Sequence, residues 1–341
     1  MKIVSISWVR NEADVIETFV RHHCAFLDHM ILIDNRSTDN TREILSKLKE
    51  EGLPLDLRID DSFAHLQGEA LTAVLGELRG NAPDYVLPLD ADEFLWTNEG
   101  ENVRMALEKL PTDIASLVRW HTYVPMPGDD PAECNVLKRV RQRRAIERPQ
   151  WFKVIIPKKL LLGTMKLRMG SHALVDETSN RNAEHCESSS LFLGHFPVRS
   201  PDQIAGKVFG GWLSQMANPL RAKGAIFQWK AIFDELKSGK EIDPEMLMRL
   251  AMDYGTEKQW HALPAEEKDG KSLGHFAGTD AQASSVGNAT APDPIPANFA
   301  LKYPAHRLPP IRILAESAEY LAQEVAKNIC VVQKRNKEIT L

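Results

Sequence analysis

The sequence predicts an α/β protein, a mixed sheet covered by helices with a helical region following it. Three observations carry this. Over the first ninety residues, short β-branched runs alternate with amphipathic stretches, the order that a parallel sheet requires. Between about Asn102 and Phe196 the periodicity turns mostly to strands, and after Ser200 it turns helical. The boundaries read as one domain over 1–200, divided into halves at 1–95 and 96–200, and a helical C-terminal region over 201–341.

Each element has its own signal. Lys2 to Val9 is apolar and β-branched, a first strand, and Val15, Phe19, Val20, His23 and Leu27 then recur at helical spacing. Met30 to Ile33 is a short buried strand; Ser37 or Thr38 offers a cap to a helix carrying Ile44, Leu45 and Leu48 that stops at Gly52. Leu55 to Ile59 alternates as a third strand, Leu71, Val74, Leu75 and Leu78 stripe a third helix, and Tyr85 to Leu89 forms a fourth strand despite Pro88, which removes a ladder donor. Later strands are expected at Ile114 to Val124, Trp151 to Ile156, Lys166 to Val175 and Leu191 to Phe196, with one helix near Val103 to Leu110. Ser200-Pro201 starts a helix through Ile204, Val208 and Trp212; further helices run from Ile226 to Leu236 and along Leu314, Ala318, Leu321 and Val325. Between about 265 and 310 the chain is rich in Ala, Ser, Gly, Asn and Pro, the composition of a long irregular loop.

Composition narrows the class. The 341 residues are 43% hydrophobic and 26% charged, ordinary for a globular protein. With 42 Lys and Arg against 47 Asp and Glu, the net charge of −5 offers phosphate backbones no attraction, so general nucleic-acid binding is excluded. Within that acidic whole, the run from Lys138 to Arg144 is a basic patch, read as a solvated face or a peripheral contact with an anionic acceptor or membrane surface. The cysteines Cys24, Cys134, Cys186 and Cys330 lie far apart with no CxxC, as expected where thiols stay reduced, which predicts a cytoplasmic protein. No apolar run approaches 18 residues and no signal-peptide core follows Met1, so integral membrane and secreted classes are set aside.

The strongest motif is the DADEF that closes the fourth strand. Side chains two apart on a strand share a face, so Asp90 and Asp92 are expected to project together while Ala91 points the other way. Paired carboxylates suit Mg²⁺ or Mn²⁺ with positions left for phosphate oxygens. Ligands of open α/β sheets bind beyond the carboxyl ends of the strands. There the sequence also places Arg10-Asn11-Glu12, the segment from Asp34 to Asp39, and Asp60-Asp61.

The stretch WVRNEADVIETFVRHHCAFLDHMILIDNRSTDNTREIL, followed about fifty residues on by LPLDADEF and later by HFPVRS, resembles glycosyltransferase family 2 proteins with the GT-A fold over roughly residues 1 to 210. The resemblance implies a Rossmann-like nucleotide-binding half over 1–95 and an acceptor half over 96–200. It also implies a nucleotide-diphosphate-sugar donor whose diphosphate is bridged by Mn²⁺ or Mg²⁺ on Asp90 and Asp92, and a glycan or lipid-linked acceptor. By the same matching, Asp34 is similar to the nucleotide-contacting aspartate after the second strand, Arg10, Asn11 and Glu12 to the donor-side loop, and Gln67 to a donor contact in the third helix. His172 and His195, at the ends of later strands, are candidate third metal ligands. Arg199 and Lys207 are candidates to neutralise the leaving diphosphate. An inverting transfer needs a carboxylate base beside the acceptor hydroxyl, and Asp129 and Asp130 in MPGDDP, after the aromatic Trp120 and Tyr123, are the candidates, with plain turn residues as the competing reading.

Other patterns argue against rivals. No Q-x-x-R-W of processive polysaccharide synthases is present, and neither a glycine-rich phosphate loop of a sugar nucleotidyltransferase nor a G-x-G-x-x-G follows the first strand. Ala265 to Ser272 loosely fits a phosphate loop but lacks the strand and helix that give the pattern meaning. A non-catalytic nucleotide- or glycan-binding module remains the alternative outside the enzymes.

Overall fold

A computed structural model describes residues 1–97, 101–218, 221, 223–237, 239–263 and 290–339. The expected phosphate-loop mimic at Ala265 to Ser272 and most of the expected irregular loop lie outside the described residues.

The N-terminal half alternates as its periodicity requires. Strand β1 (Ile3–Val9) leads to α1 (Ile16–His23), β2 (His29–Asn35) to α2 (Thr41–Glu50), β3 (Leu55–Asp60) to α3 (Gln67–Leu78), and β4 (Tyr85–Pro88) closes the set. β1 lies between β2 and β4, and β3 flanks β2, all in parallel. Every residue of β1 is buried, because helices cover both faces of a parallel sheet. Ile16, Phe19, Ile44 and Leu48 of α1 and α2 pack on one face with Ile3 and Val9, and Leu71, Val74 and Leu75 of α3 pack on the other with Val4, Ile6 and Trp8. Pro88 is tolerated because it ends the strand, and the next residue resumes the ladder with Leu89 N–H donating to Ile6 C=O at 3.0 Å.

The second half turns the sheet antiparallel. After β5 (Glu93–Thr97) and α4 (Val103–Glu108) come β6 (Ala115–Val124), α5 (Val136–Arg139), β7 (Gln142–Arg144), β8 (Phe152–Pro157), α6 (Lys158–Leu161), β9 (Met165–Leu167), β10 (Leu174–Asp176) and β11 (His185–His195). β8 pairs antiparallel with both β4 and β6, while β11 runs parallel to β6 and antiparallel to β5. The strand expected over Lys166 to Val175 is instead the β9–β10 hairpin, broken where Gly170 and Ser171 adopt positive φ. β5 was not separated from the fourth strand in the sequence, because only a short turn divides them.

The basic run is only in part a solvated face, with Lys138 and Arg141 exposed. Arg144, 4% exposed, donates to the carbonyls of Ala251 and Tyr254 and pairs with Glu147; Arg143 pairs with Asp293, and Arg139 donates to the carbonyls of Glu133 and Arg199. Three of its arginines thus tie neighbouring and later segments down.

The helical region follows as α7 (Pro201–Met216), α8 (Phe227–Leu236), α9 (Pro244–Asp253) and α10 (Glu257–Ala262), then β12 (Thr290–Pro292), antiparallel to β7, and α11 (Pro310–Ile339). Ser200 caps α7, its Oγ accepting from Gln203 N–H at 3.2 Å with Pro201 in the first turn. By contrast, the α2 N-cap is Asn40 rather than Ser37 or Thr38. Ile204, Val208, Ile232, Leu236 and Leu250 form a separate apolar cluster that reaches the sheet at Val124. Among the described residues, no helix is long and apolar enough to cross a membrane.

Gly211 on α7 lies flat against the Trp229 indole, where a methyl group would meet three ring atoms at 2.6 to 3.0 Å. Gly211→Ala is expected to cost about 1–3 kcal/mol through overpacking, read as a lower denaturant midpoint; an unchanged midpoint would show that the indole yields freely.

Candidate active site

A cavity of about 460 Å³ opens at the carboxyl ends of the parallel strands. Its wall includes Arg10, Asn11, Glu12, Gln67, Asp90, Asp92, His172, His195 and Lys207, so nine of the expected site residues converge on one space. Trp8, Trp120, Trp151, Trp229 and Tyr254 supply most of its aromatic surface.

The loop after β1 is locked before it can meet a ligand. Asn11 takes φ 55°, a left-handed conformation that asparagine tolerates, and its side-chain oxygen accepts from Thr38 N–H at 2.7 Å and Asp39 N–H at 3.3 Å. In return, Ser37 Oγ accepts from Asn11 N–H at 2.9 Å. Two strand-end loops are thereby fixed to each other.

Asp90 and Asp92 do not share a strand face, because the turn begins at Asp90 and separates their surroundings. Asp90 accepts from Gln67 Nε2 and from Lys153 Nζ, each at 2.6 Å. Lys153 is 2% exposed and also meets Glu93 at 2.9 Å. Asp92 instead pairs with Lys207 Nζ at 2.5 Å, with Arg199 Nη1 at 3.7 Å and His195 Nε2 at 3.9 Å nearby. Burial alone would raise the Asp92 pKa, yet the surrounding positive charge holds it well below the usual carboxylate range.

Arg199 organises this end of the cavity from behind. Fully buried, it donates to Asp14 from Nε and Nη2 at 2.9 Å, to the Phe196 carbonyl at 3.0 Å, and to Glu12. Arg307, from the segment before α11, closes on Asp14 from the other side. Removing a buried partner such as Arg199 strands its carboxylates, a penalty of about 3–5 kcal/mol.

The histidines have different surroundings. His195 stacks on Trp120 with ring centroids 4.0 Å apart, and its Nδ1 is buried without a hydrogen-bond partner. Burial pulls its pKa down to about 3, so the ring is neutral. His172 donates from Nδ1 to the Phe152 carbonyl at 2.8 Å, since a carbonyl only accepts, and its Nε2 rests against Gly170, where a methyl group would lie 2.5 Å away. Both rings line the cavity, and His195 Nε2 lies 3.9 Å from the Asp92 carboxylate.

Three further expectations meet the geometry less simply. Asp34 is 3% exposed and outside the cavity wall, its Oδ2 held by Arg42 at 2.5 Å. Asp129 and Asp130 do not line the cavity either. Their carboxylates accept from Met126 N–H at 2.8 Å and Ala132 N–H at 2.9 Å, the contacts expected of turn residues. Sequence reasoning passed over Lys153, although a lone lysine within the apolar FKVIIP run is a signal, because a buried ammonium demands a carboxylate.

Among the described residues, no group of three or more His, Cys, Asp or Glu side chains is arranged to hold a metal ion.

A parallel β3–β2–β1–β4 half extended by antiparallel strands, with an acidic turn after β4, defines the class as a GT-A fold. Residues 6–165 match the Glycosyl transferase family 2 model, which supports a glycosyltransferase similar to that family. Among solved structures it is similar to the mannosyltransferase PcManGT from Pyrobaculum calidifontis in complex with GDP-Man and Mn²⁺, at 17% identity and TM-score 0.36, over 79% of this chain and 77% of that one. It is also similar to glucosyl-3-phosphoglycerate synthase from Mycobacterium tuberculosis in complex with Mn²⁺, UDP and phosphoglyceric acid, at 15% identity and TM-score 0.25, over 35% and 43% of the respective chains. No curated protein matches the sequence.

Glu93, wholly buried, has its pKa raised to about 8 by burial, against the attraction of Lys153. The folded state therefore keeps a proton that the unfolded chain releases near its ordinary 4.5, so stability falls as pH rises from there to about 8 and then levels. Glu93→Gln is expected to flatten that slope in melting temperature measured against pH; an unchanged slope would place the titration elsewhere.

Proposed function

We propose that the protein moves a sugar from a nucleotide-diphosphate donor to an acceptor hydroxyl of a glycan or glycoconjugate. The observation that carries the reading is the Asp90 to Glu93 turn in a cavity wall that also holds Lys207, Gln67 and His195. The diphosphate lies beside Asp92, where Lys207 exchanges its carboxylate for phosphate oxygens and, with Arg199 behind it, offsets charge building on the leaving group. Gln67 and Lys153 hold Asp90 toward the donor, and the Arg10 to Glu12 loop borders it. Trp120, with His195 stacked on it, and Trp151 border the space proposed for the acceptor sugar.

The donor set suits a divalent cation, since the Asp92 carboxylate faces the neutral His195 imidazole, an oxygen and a nitrogen ligand 3.9 Å apart. A bound Mn²⁺ or Mg²⁺ would be held by Asp92 and His195, its remaining positions left to the donor and water, and would supply positive charge against the diphosphate. In an inverting transfer one of the cavity carboxylates Glu12, Asp90 and Asp92, each of which carries a cationic partner before the donor binds, would take the proton of the acceptor hydroxyl as its oxygen attacks the anomeric carbon and the nucleoside diphosphate leaves. The free thiols Cys24, Cys134 and Cys186 fit a cytoplasmic site of action.

Calorimetry with UDP and GDP, with and without Mn²⁺, tests this. Mn²⁺ is expected to tighten one of them about tenfold or more, and Asp92→Asn to lose that gain, each factor of ten being about 1.4 kcal/mol. An Mn²⁺ effect of the same size in Asp92→Asn would sink the metal assignment, and failure of the parent to bind either nucleotide would sink the donor reading.

A further inference from the structure

Helix α11 lies beyond the residues matched by the family model, yet it ends up at the carboxyl ends of β1, β2 and β3. Its docking is built into α7. Gly206 and Gly210 open a groove for Ile313, where methyl groups would meet that side chain at 2.8 and 3.2 Å, and Ser317 lies 3.4 Å from the same position on Gly210. One turn further on, Tyr320 faces Arg36, the guanidinium carbon 4.0 Å from the ring centroid, and the Phe63 ring lies 5.6 Å away. Arg10 covers Phe63 at 5.1 Å. Cation, ring, ring and cation form a continuous column.

Beside that column stand two buried polar atoms without hydrogen-bond partners, Asp34 Oδ1 and Arg36 Nε. One only accepts and the other only donates. Both partners of Asp34, Ser37 N–H and Arg42, use Oδ2. Unsatisfied buried groups of both kinds next to a π-stacking surface ask for a flat ligand with an N–H and a C=O on its edge, which describes a nucleobase.

We propose that Tyr320 stacks on the nucleobase of the donor, so that α11 completes a binding site begun by the strand-end loops. The base takes the place of the Arg36 guanidinium on the Tyr320 ring, and its edge meets Asp34 Oδ1 and the displaced Arg36 Nε–H. This rests on the donor reading above and adds to it the C-terminal helix as the element that contacts the base.

The test is calorimetry with UDP, GDP and inorganic pyrophosphate at fixed Mn²⁺, on the parent and on Tyr320→Phe, Tyr320→Leu and Tyr320→Ala. The parent is expected to bind one nucleoside diphosphate more tightly than pyrophosphate. Phenylalanine retains that affinity, while leucine and alanine lose about tenfold or more, the scale of one base–aromatic stack, with pyrophosphate binding unchanged in all. Leucine keeps apolar bulk in the column, so a loss shared by leucine and alanine belongs to the ring rather than to unfolding. Unchanged nucleotide affinity in both variants overturns the proposal and leaves the donor reading standing. A rise in affinity overturns it too, because Tyr320 would then be an occluding group. If the parent binds both nucleotides no better than pyrophosphate, the base contributes nothing and both readings fall.

Discussion

Buried carboxylates at the ends of parallel strands must find cations, and in this protein nearly all of those cations come from later segments. Glu12, Asp14, Asp90, Asp92 and Glu93 crowd one end of the sheet, and their partners are Lys153 on β8, Arg199 after β11, Lys207 on α7 and Arg307 before α11. A carboxylate left alone in such surroundings costs several kcal/mol. The charge balance of the first hundred residues is therefore closed only when the rest of the chain has folded onto them. Folding the second half and assembling the cavity are consequently one event.

The same balance determines what the cavity can accept. Lys207 is tied to Asp92 and Lys153 to Asp90, whereas Arg10 and Arg168 stand in the wall without an ion pair among the described residues. An anion carrying two phosphates can meet those guanidinium groups, but to lie against Asp90 and Asp92 it must draw an ammonium away from its carboxylate or bring a cation with it. Lys207 is the more readily drawn, since its side chain is 18% exposed whereas that of Lys153 is 2% exposed and shared with Glu93. The two lysines thus have different parts, one held as scaffold and one poised at the opening.

Much of the parallel half was legible because burial on both faces writes continuous apolar runs, and the loops that follow them announce themselves by charge. Asp90 and Asp92 could be placed at the crevice from that alone, but their opposed partners could not, because Gln67, Lys153 and Lys207 lie tens of residues away in either direction. The β9–β10 hairpin was hidden because strand-like residues stand on both sides of Gly170 and Ser171, whose positive φ marks the break. Asp129 and Asp130 are a related case. Proline and glycine around a carboxylate describe a turn, and the turn used both carboxylates for its own amide groups. The basic run was legible only in part, because charge density says nothing of the backbone carbonyls that Arg139 and Arg144 reach.

The glycines of α7 bring these strands of argument together. Glycine inside a helix costs roughly 0.5–1 kcal/mol relative to alanine, and α7 carries Gly206, Gly210 and Gly211 within its span. Two of them admit Ile313 of α11 and the third admits the Trp229 ring of the cavity wall. The helix accepts the lower intrinsic stability in exchange for close approach on two sides, while Lys207, between Gly206 and Gly210 in sequence, reaches Asp92. A displacement of α11 along that groove acts on the backbone that carries the ammonium partner of Asp92. The element furthest from the cavity in sequence is in this way mechanically continuous with the carboxylate at its centre.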